Sequence, residues 1–192
     1  MLRMIGRIER GRRGGRREKV HAFTLVELLA VLAIVTVLAS LVMAGGRRAT
    51  EAGKVAQTKA QLAALSAALE TYRRAHGDYP RTAEGAALLQ ALAGRRGPGG
   101  ETVAARGLID LAHFPTAGDA DPRVDVSAEL IDAWAQPYVY AYKTGAPAAW
   151  RRVGFVLYSC GPDGAHRPPA AGTGDVDATA SENADNLFAD AP

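Results

Sequence analysis

The sequence predicts an α+β chain: a long N-terminal helix, first apolar and then amphipathic, packed on a small antiparallel sheet that ends in a C-terminal loop. Three observations carry the prediction. Residues 23–43 form an apolar run whose one ionisable side chain is Glu27. Beyond it, Val55, Leu62, Leu65, Leu69 and Tyr72 recur at steps of seven, three, four and three, which is one stripe of a helix. Tyr138, Tyr140 and Tyr142 then alternate in the period of a strand, and a second β-rich run covers residues 153–159.

The chain opens on a basic leader, residues 1–22. Eight Lys and Arg stand there against Glu9 and Glu18, a net +6. The whole chain carries +3, so subtraction leaves −3 for residues 23–192. The basic character therefore belongs to the leader. A basic cluster can serve nucleic acid, but beside an apolar run it favours a membrane orientation, and no nucleic-acid partner is expected. The leader would stay in the cytoplasm and the C-terminal part would lie outside.

At about 1.5 Å per residue, the run 23–43 spans roughly 32 Å, the hydrocarbon thickness of a bilayer. Secretory signals have shorter apolar cores, with a small-residue site after them. The segment Val42-Met43-Ala44 keeps that alternative open. A carboxylate within such a run is costly and marks a functional position, unless it snorkels to the interface. Glu27 stands in this position, one turn into the helix.

Gly45 and Gly46 end the run and allow either a loosened helix or a boundary at the membrane surface. We expect continuation, because a helical pattern resumes at once with Lys54, Lys59, Glu70 and Arg73 opposite the apolar stripe. Gly77 and Pro80 stop this helix. The expected division is a leader (1–22), a membrane part (23–46), an amphipathic part (47–74) and a globular head (75–192). Within the head, Thr82 is a candidate cap for a short helix over 83–92. A loop-rich stretch, 94–125, contains a second candidate helix over 101–114. The tyrosines are read as core and sheet packing.

The C-terminal loop, 160–192, is acidic. From Asp163 onward there are six Asp and Glu against one basic residue, Arg167. Calcium takes oxygen ligands from such flexible loops, although a solvated acidic tail reads the same way and the spacing is not that of an EF-hand. The single cysteine, Cys160, excludes an internal disulfide. Cys160 with His166 could suggest a thiol nucleophile, but a small residue ending a strand is the simpler reading. His76 and His113 have no ligand spacing, and no phosphate loop, dinucleotide fingerprint or nucleophile elbow occurs. The chain is not expected to be an enzyme.

Several blocks carry a resemblance to one family. They are the leader ending at Ala22, followed by Phe23-Thr24-Leu25-Val26-Glu27; the block Gly77-Asp78-Tyr79-Pro80 followed by Thr82 and Gly85; Asp132, Trp134, Pro137, Tyr138 and Tyr140; and Ser159-Cys160-Gly161-Pro162-Asp163-Gly164. Together they resemble the type IV pilin-like family, and most closely the major pseudopilins of type II secretion. Ala22 stands where most members have Gly, and Ala133 and Ala135 replace the usual Pro and Gly. The resemblance implies cleavage by a prepilin peptidase between Ala22 and Phe23, and N-methylation of Phe23. It implies that Glu27 pairs with the new amine of a neighbouring subunit during filament assembly. It implies one structural calcium, with Asp163 and Asp185 as leading ligands and Asn186, Asn183 or a backbone carbonyl completing the shell; the lengthened loop leaves Asp175 or Asp177 as alternatives to Asp185 for the second carboxylate. Its implied partners are copies of the chain in a helical filament, the peptidase, an inner-membrane platform, an assembly ATPase and minor pseudopilins. The expected role is export of folded proteins. A type IV pilin, a DNA-uptake pilin or a signal-anchored binding domain would share part of this pattern.

Overall fold

The computed structural model describes residues 24–143, 154–170 and 172–189. Helix α1 runs Leu25–His76 and helix α2 runs Gly85–Leu92. Strands β1 (Val139–Tyr142), β2 (Phe155–Ser159) and β3 (Leu187–Phe188) form one antiparallel sheet in the order β1-β2-β3. The contacts divide the chain into two units, Met1–Gly45 and Gly46–Pro192, and α1 contributes to both. The helical pattern continues through Gly45 and Gly46 as expected. The Ala22–Phe23 bond and residues 144–153, between the two predicted strand runs and including Val153 of the second, lie outside the described residues.

In the first unit, Thr24 caps α1. Its hydroxyl accepts from the Glu27 amide at 3.2 Å, and its carbonyl accepts from the Leu28 amide. Leu25, Val26 and the large aliphatic residues that follow, to Leu41 and Met43, are exposed. The helix is long and apolar enough to cross a membrane.

In the second unit the apolar stripe does what its period predicts. Leu62, Leu65, Ala68, Leu69 and Tyr72 are buried. They pack with Leu88, Leu89 and Leu92 of α2 and with Tyr138, Tyr140, Phe155 and Leu157 of the sheet region. The helix ends where the Gly77 amide reaches the Arg73 carbonyl at 2.8 Å, with Gly77 at φ 83°, a left-handed conformation that glycine adopts without a Cβ penalty.

Strand β2 is buried along its whole length. Phe155 and Leu157 face the helices, while Val156, Tyr158 and the following Cys160 face the other way. That second face is covered by Val139, Phe188 and Val176, a residue of the C-terminal loop. The loop is therefore partly a lid over apolar residues rather than a solvated tail.

Two helix expectations need correction. Helix α2 begins at Gly85 rather than 83, because the Thr82 hydroxyl accepts from the Glu84 amide at 3.0 Å and holds a turn ahead of the helix. The helix expected over 101–114 is absent except for a 3₁₀ turn at Leu111–His113. The amides of Val103, Ala105 and Leu108 donate instead to the carbonyls of Arg95, Gly94 and Leu92. Non-local partners at the end of α2 satisfy this backbone better than a local helix of marginal length does. The rest of the 94–125 stretch is stitched down by side chains. Gln90 Nε2 donates to the Pro122 carbonyl at 2.9 Å, and Arg95 donates to the Arg123 carbonyl at 2.9 Å.

Candidate functional site

Two regions bring together the residues singled out in the sequence. At the start of α1, Glu27 occupies the third position after the Thr24 cap, and its side chain is exposed. Among the described residues no ion pair involves Glu27. The helix start leaves the Glu27 carboxylate exposed. Phe23 precedes the described residues.

The second region is the loop after β2. Gly161 has φ 68°, and a Cβ there would lie 2.6 Å from the Asp185 carbonyl oxygen and 3.0 Å from Asp185 Oδ2. The turn at 160–164 and the Asp185 backbone are thus in close contact, and only glycine permits it. Asp163 is exposed and accepts from the Ala165 amide through Oδ1 at 2.8 Å. Asp185 Oδ1 is buried and has no hydrogen-bond partner among the described residues. A buried carboxylate oxygen without a hydrogen-bond donor is costly, and a bound water or cation at this position would satisfy it.

Asn186 adds to this. Its amide has two orientations 180° apart. In one, the nitrogen donates to the Cys160 carbonyl at 3.2 Å and to the Ala165 carbonyl at 3.3 Å, which sets its oxygen against Asn183 Oδ1. In the other, the nitrogen donates to Asn183 Oδ1 at 2.9 Å, and the Asn186 oxygen converges with the two carbonyls. Asn183 Oδ1 is already an acceptor from the Arg167 amide at 2.8 Å, which favours the second orientation. That orientation leaves three oxygens facing one another beside the Asp185 backbone, an arrangement suited to a hard, oxygen-seeking cation. Among the described residues no cluster of three or more His, Cys, Asp or Glu could hold a metal, so such a site would rest on carbonyls, the amide and few carboxylates.

Of the other candidate ligands, Asp177 is otherwise engaged. It accepts from the Thr179 hydroxyl at 2.6 Å and the Thr179 amide at 3.0 Å, and it pairs with Arg167 at 3.2 Å. These donors, the Thr179 hydroxyl first, hold its carboxyl below the usual range. The Asp175 backbone is used locally, its carbonyl accepting from Ala170 and its amide donating to Thr173.

Cys160 Sγ lies 3.3 Å from His166 Nδ1. Burial, and then the carboxylates of Asp132, Asp163 and Asp185, push the thiol up to about 11. It is protonated at neutral pH, whereas nucleophilic chemistry needs the thiolate.

Sequence reasoning did not identify the Cys160 and Ala165 carbonyls, which carry no side-chain signal. It quoted Asp132 only as part of a motif. Asp132 is 2% exposed and joins the 132–136 turn to Ser159.

Comparisons with known proteins agree with this architecture. Residues 17–43 match the family described as the prokaryotic N-terminal methylation motif. Residues 47–105 match the family described as type II secretion system, protein G. The chain is similar to the type II secretion system core protein G of Pseudomonas aeruginosa, with 30% identity over 153 residues, covering 77% of this chain and 87% of that protein. No solved structure gave a significant match.

Proposed function

The chain belongs to the type II secretion system protein G family of pseudopilins, and from that membership we propose a processed, filament-forming subunit that helps export folded proteins. The observation that carries the reading is the start of α1. An apolar helix opens on Thr24, and Glu27, exposed and with no ion pair among the described residues, lies within the matched methylation motif. In this reading a prepilin peptidase cuts between Ala22 and Phe23, and Phe23 is N-methylated. The new amine of one subunit then meets Glu27 of another. Stored subunits lie in the inner membrane, N-terminus inward and head outward. They exchange lipid for neighbouring apolar helices when the platform and its ATPase draw them into a helical filament with minor pseudopilins.

We further propose that the C-terminal loop binds one calcium with a structural role. Support comes from the buried, unpartnered Asp185 Oδ1 and from the convergence of Asn186 with the Cys160 and Ala165 carbonyls. Asp163, in the same turn, would supply the second carboxylate.

The test is intact mass and N-terminal sequencing of the protein purified from its own membrane. A chain beginning at methylated Phe23 is expected. A chain that keeps Met1, or one that begins near Gly45, removes the role given to Glu27.

A further inference from the structure

Asp132 is buried, yet among the described residues no ion pair involves it. Its carboxylate is held by neutral donors. Oδ1 accepts from the Trp134 amide at 2.8 Å and the Gln136 amide at 2.9 Å, closing the 132–136 turn. Oδ2 accepts from the Ser159 hydroxyl. The same hydroxyl accepts from the Gly161 amide at 3.1 Å, and Gly161 is the residue pressed against the Asp185 backbone. A second contact joins the same two pieces. A Cβ at Gly164 would lie 2.9 Å from the Gln136 side chain. The turn at 132–136 therefore supports the cation loop at two points, on either side of Asp163.

The far side of that turn rests on α1. Trp134 Nε1 donates to Glu51 Oε2 at 2.9 Å, and Lys54 Nζ lies 6.0 Å from the Trp134 ring centre. The Ala133 amide reaches the Thr58 hydroxyl at 3.5 Å. These contacts are polar, and the buried leucines of α1 begin only at Leu62. Residues 51–58 of α1 thus meet the turn that Asp132 organises at three side chains, Glu51, Lys54 and Thr58.

We propose that Asp132 is the positioning residue of the C-terminal cation loop, and that its turn transmits occupancy of the loop to residues 51–58 of α1. The inference rests on the cation reading above. The Cys160 carbonyl and the Asp185 segment would hold the cation, Gly161 would be fixed between them, and the Ser159 hydroxyl, which bonds both Gly161 and Asp132, would pass that restraint to Asp132. The turn then holds Ala133 and Trp134 on the helix. Linkage makes the effect reciprocal: loosening the turn from α1 weakens cation binding. Residues that orient ligands without touching the metal typically change affinity about 10–100-fold when removed.

The experiment uses the full chain in detergent micelles, with calcium chloride as the probe. Calcium affinity is read by titration calorimetry, and amide hydrogen exchange is followed across residues 51–58. In the wild-type chain, calcium should slow exchange of those amides. Asp132→Asn should bind calcium about 10–100-fold more weakly and lose the slowing. Ser159→Ala removes only a hydroxyl and serves if Asp132→Asn does not fold; the same losses are expected. Glu51→Ala lies on an exposed helix face, far along the contact chain from the loop. It should weaken calcium binding at least about twofold, a result that a merely structural Asp132 would not produce. Wild-type affinity and wild-type protection in Ser159→Ala and Glu51→Ala overturn the proposal while leaving the cation reading intact. A wild-type chain that binds no calcium overturns both, and is recognised because every variant is then equally silent.

Discussion

Asp78 stands where α1 gives way to the head, and its surroundings make a pH prediction. Its carboxylate accepts from the Tyr142 hydroxyl at 2.7 Å, the Tyr79 amide at 2.9 Å and Arg81 at 3.1 Å. Burial alone would raise its pKa, but these donors outweigh it and hold the carboxyl below its ordinary value. A group with a depressed folded pKa stabilises the fold above its unfolded pKa and loses that effect as pH falls through the folded one. Asp78→Asn should therefore cost about 1–2 kcal/mol at pH 7, and the gap to wild type should close as pH drops below the ordinary carboxylate range. Urea unfolding at pH 7 and at pH 3 checks this. The same residue shows what a motif can hide. Asp78 was legible as part of a Gly-x-Tyr-Pro turn, but its bond to Tyr142 joins positions 64 apart in sequence. Ala135 is a comparable case: its turn closes normally, with φ 63°, where glycine was the expected residue. An L-residue there carries a strain of about 1–2 kcal/mol, sustained by the Asp132 bonds around it.

Among the elements, α1 was the most legible and the stretch after α2 the least. The stripe from Leu62 to Tyr72 could be read because helical period is a local property, and the same period sets which side chains are buried. Leu69 is fully buried against α2 and the sheet region, so Leu69→Ala should destabilise the head by about 2–5 kcal/mol, measured as a lower urea midpoint with an unchanged slope. A loss well under about 1 kcal/mol would place the core elsewhere. The tyrosines also behave as the strand period implies, with Tyr138 and Tyr140 buried. Their hydroxyls reach Gln61 and the Pro80 carbonyl, at 2.8 and 2.9 Å, which ties the sheet region to the helix and its exit turn. The segment 101–114 failed as a helix because its backbone partners lie a dozen or so residues upstream, at the end of α2. Strand β3 escaped notice because two residues carry no period.

At the scale of the whole molecule, the C-terminal loop decides how the back of the sheet is closed. Val176 and Phe188 cover Val156, Tyr158 and Cys160, so a loop that appeared acidic and solvated carries part of an apolar cluster. A lid of this kind has little regular structure to hold it, and a bound cation would hold it instead. The full chain in micelles should melt higher in calcium than in chelator. At about 100 times the dissociation constant the gain is about 2.7 kcal/mol. Asp163→Ala should lose most of that shift. An identical melting temperature in calcium and chelator would remove the structural calcium.

The sequence alone determined that the chain has a span of membrane length, a basic segment before it, an amphipathic continuation and a small β-containing head. Each of these is written in composition or in a short period, so neighbouring residues are enough to read it. The tertiary structure alone decided which oxygens gather around the C-terminal loop, how the 94–125 stretch is tied down and why Asp132 is buried. Those features depend on backbone carbonyls, which every residue shares, and on contacts such as Asp132 with Ser159, 27 residues apart, that no local pattern encodes.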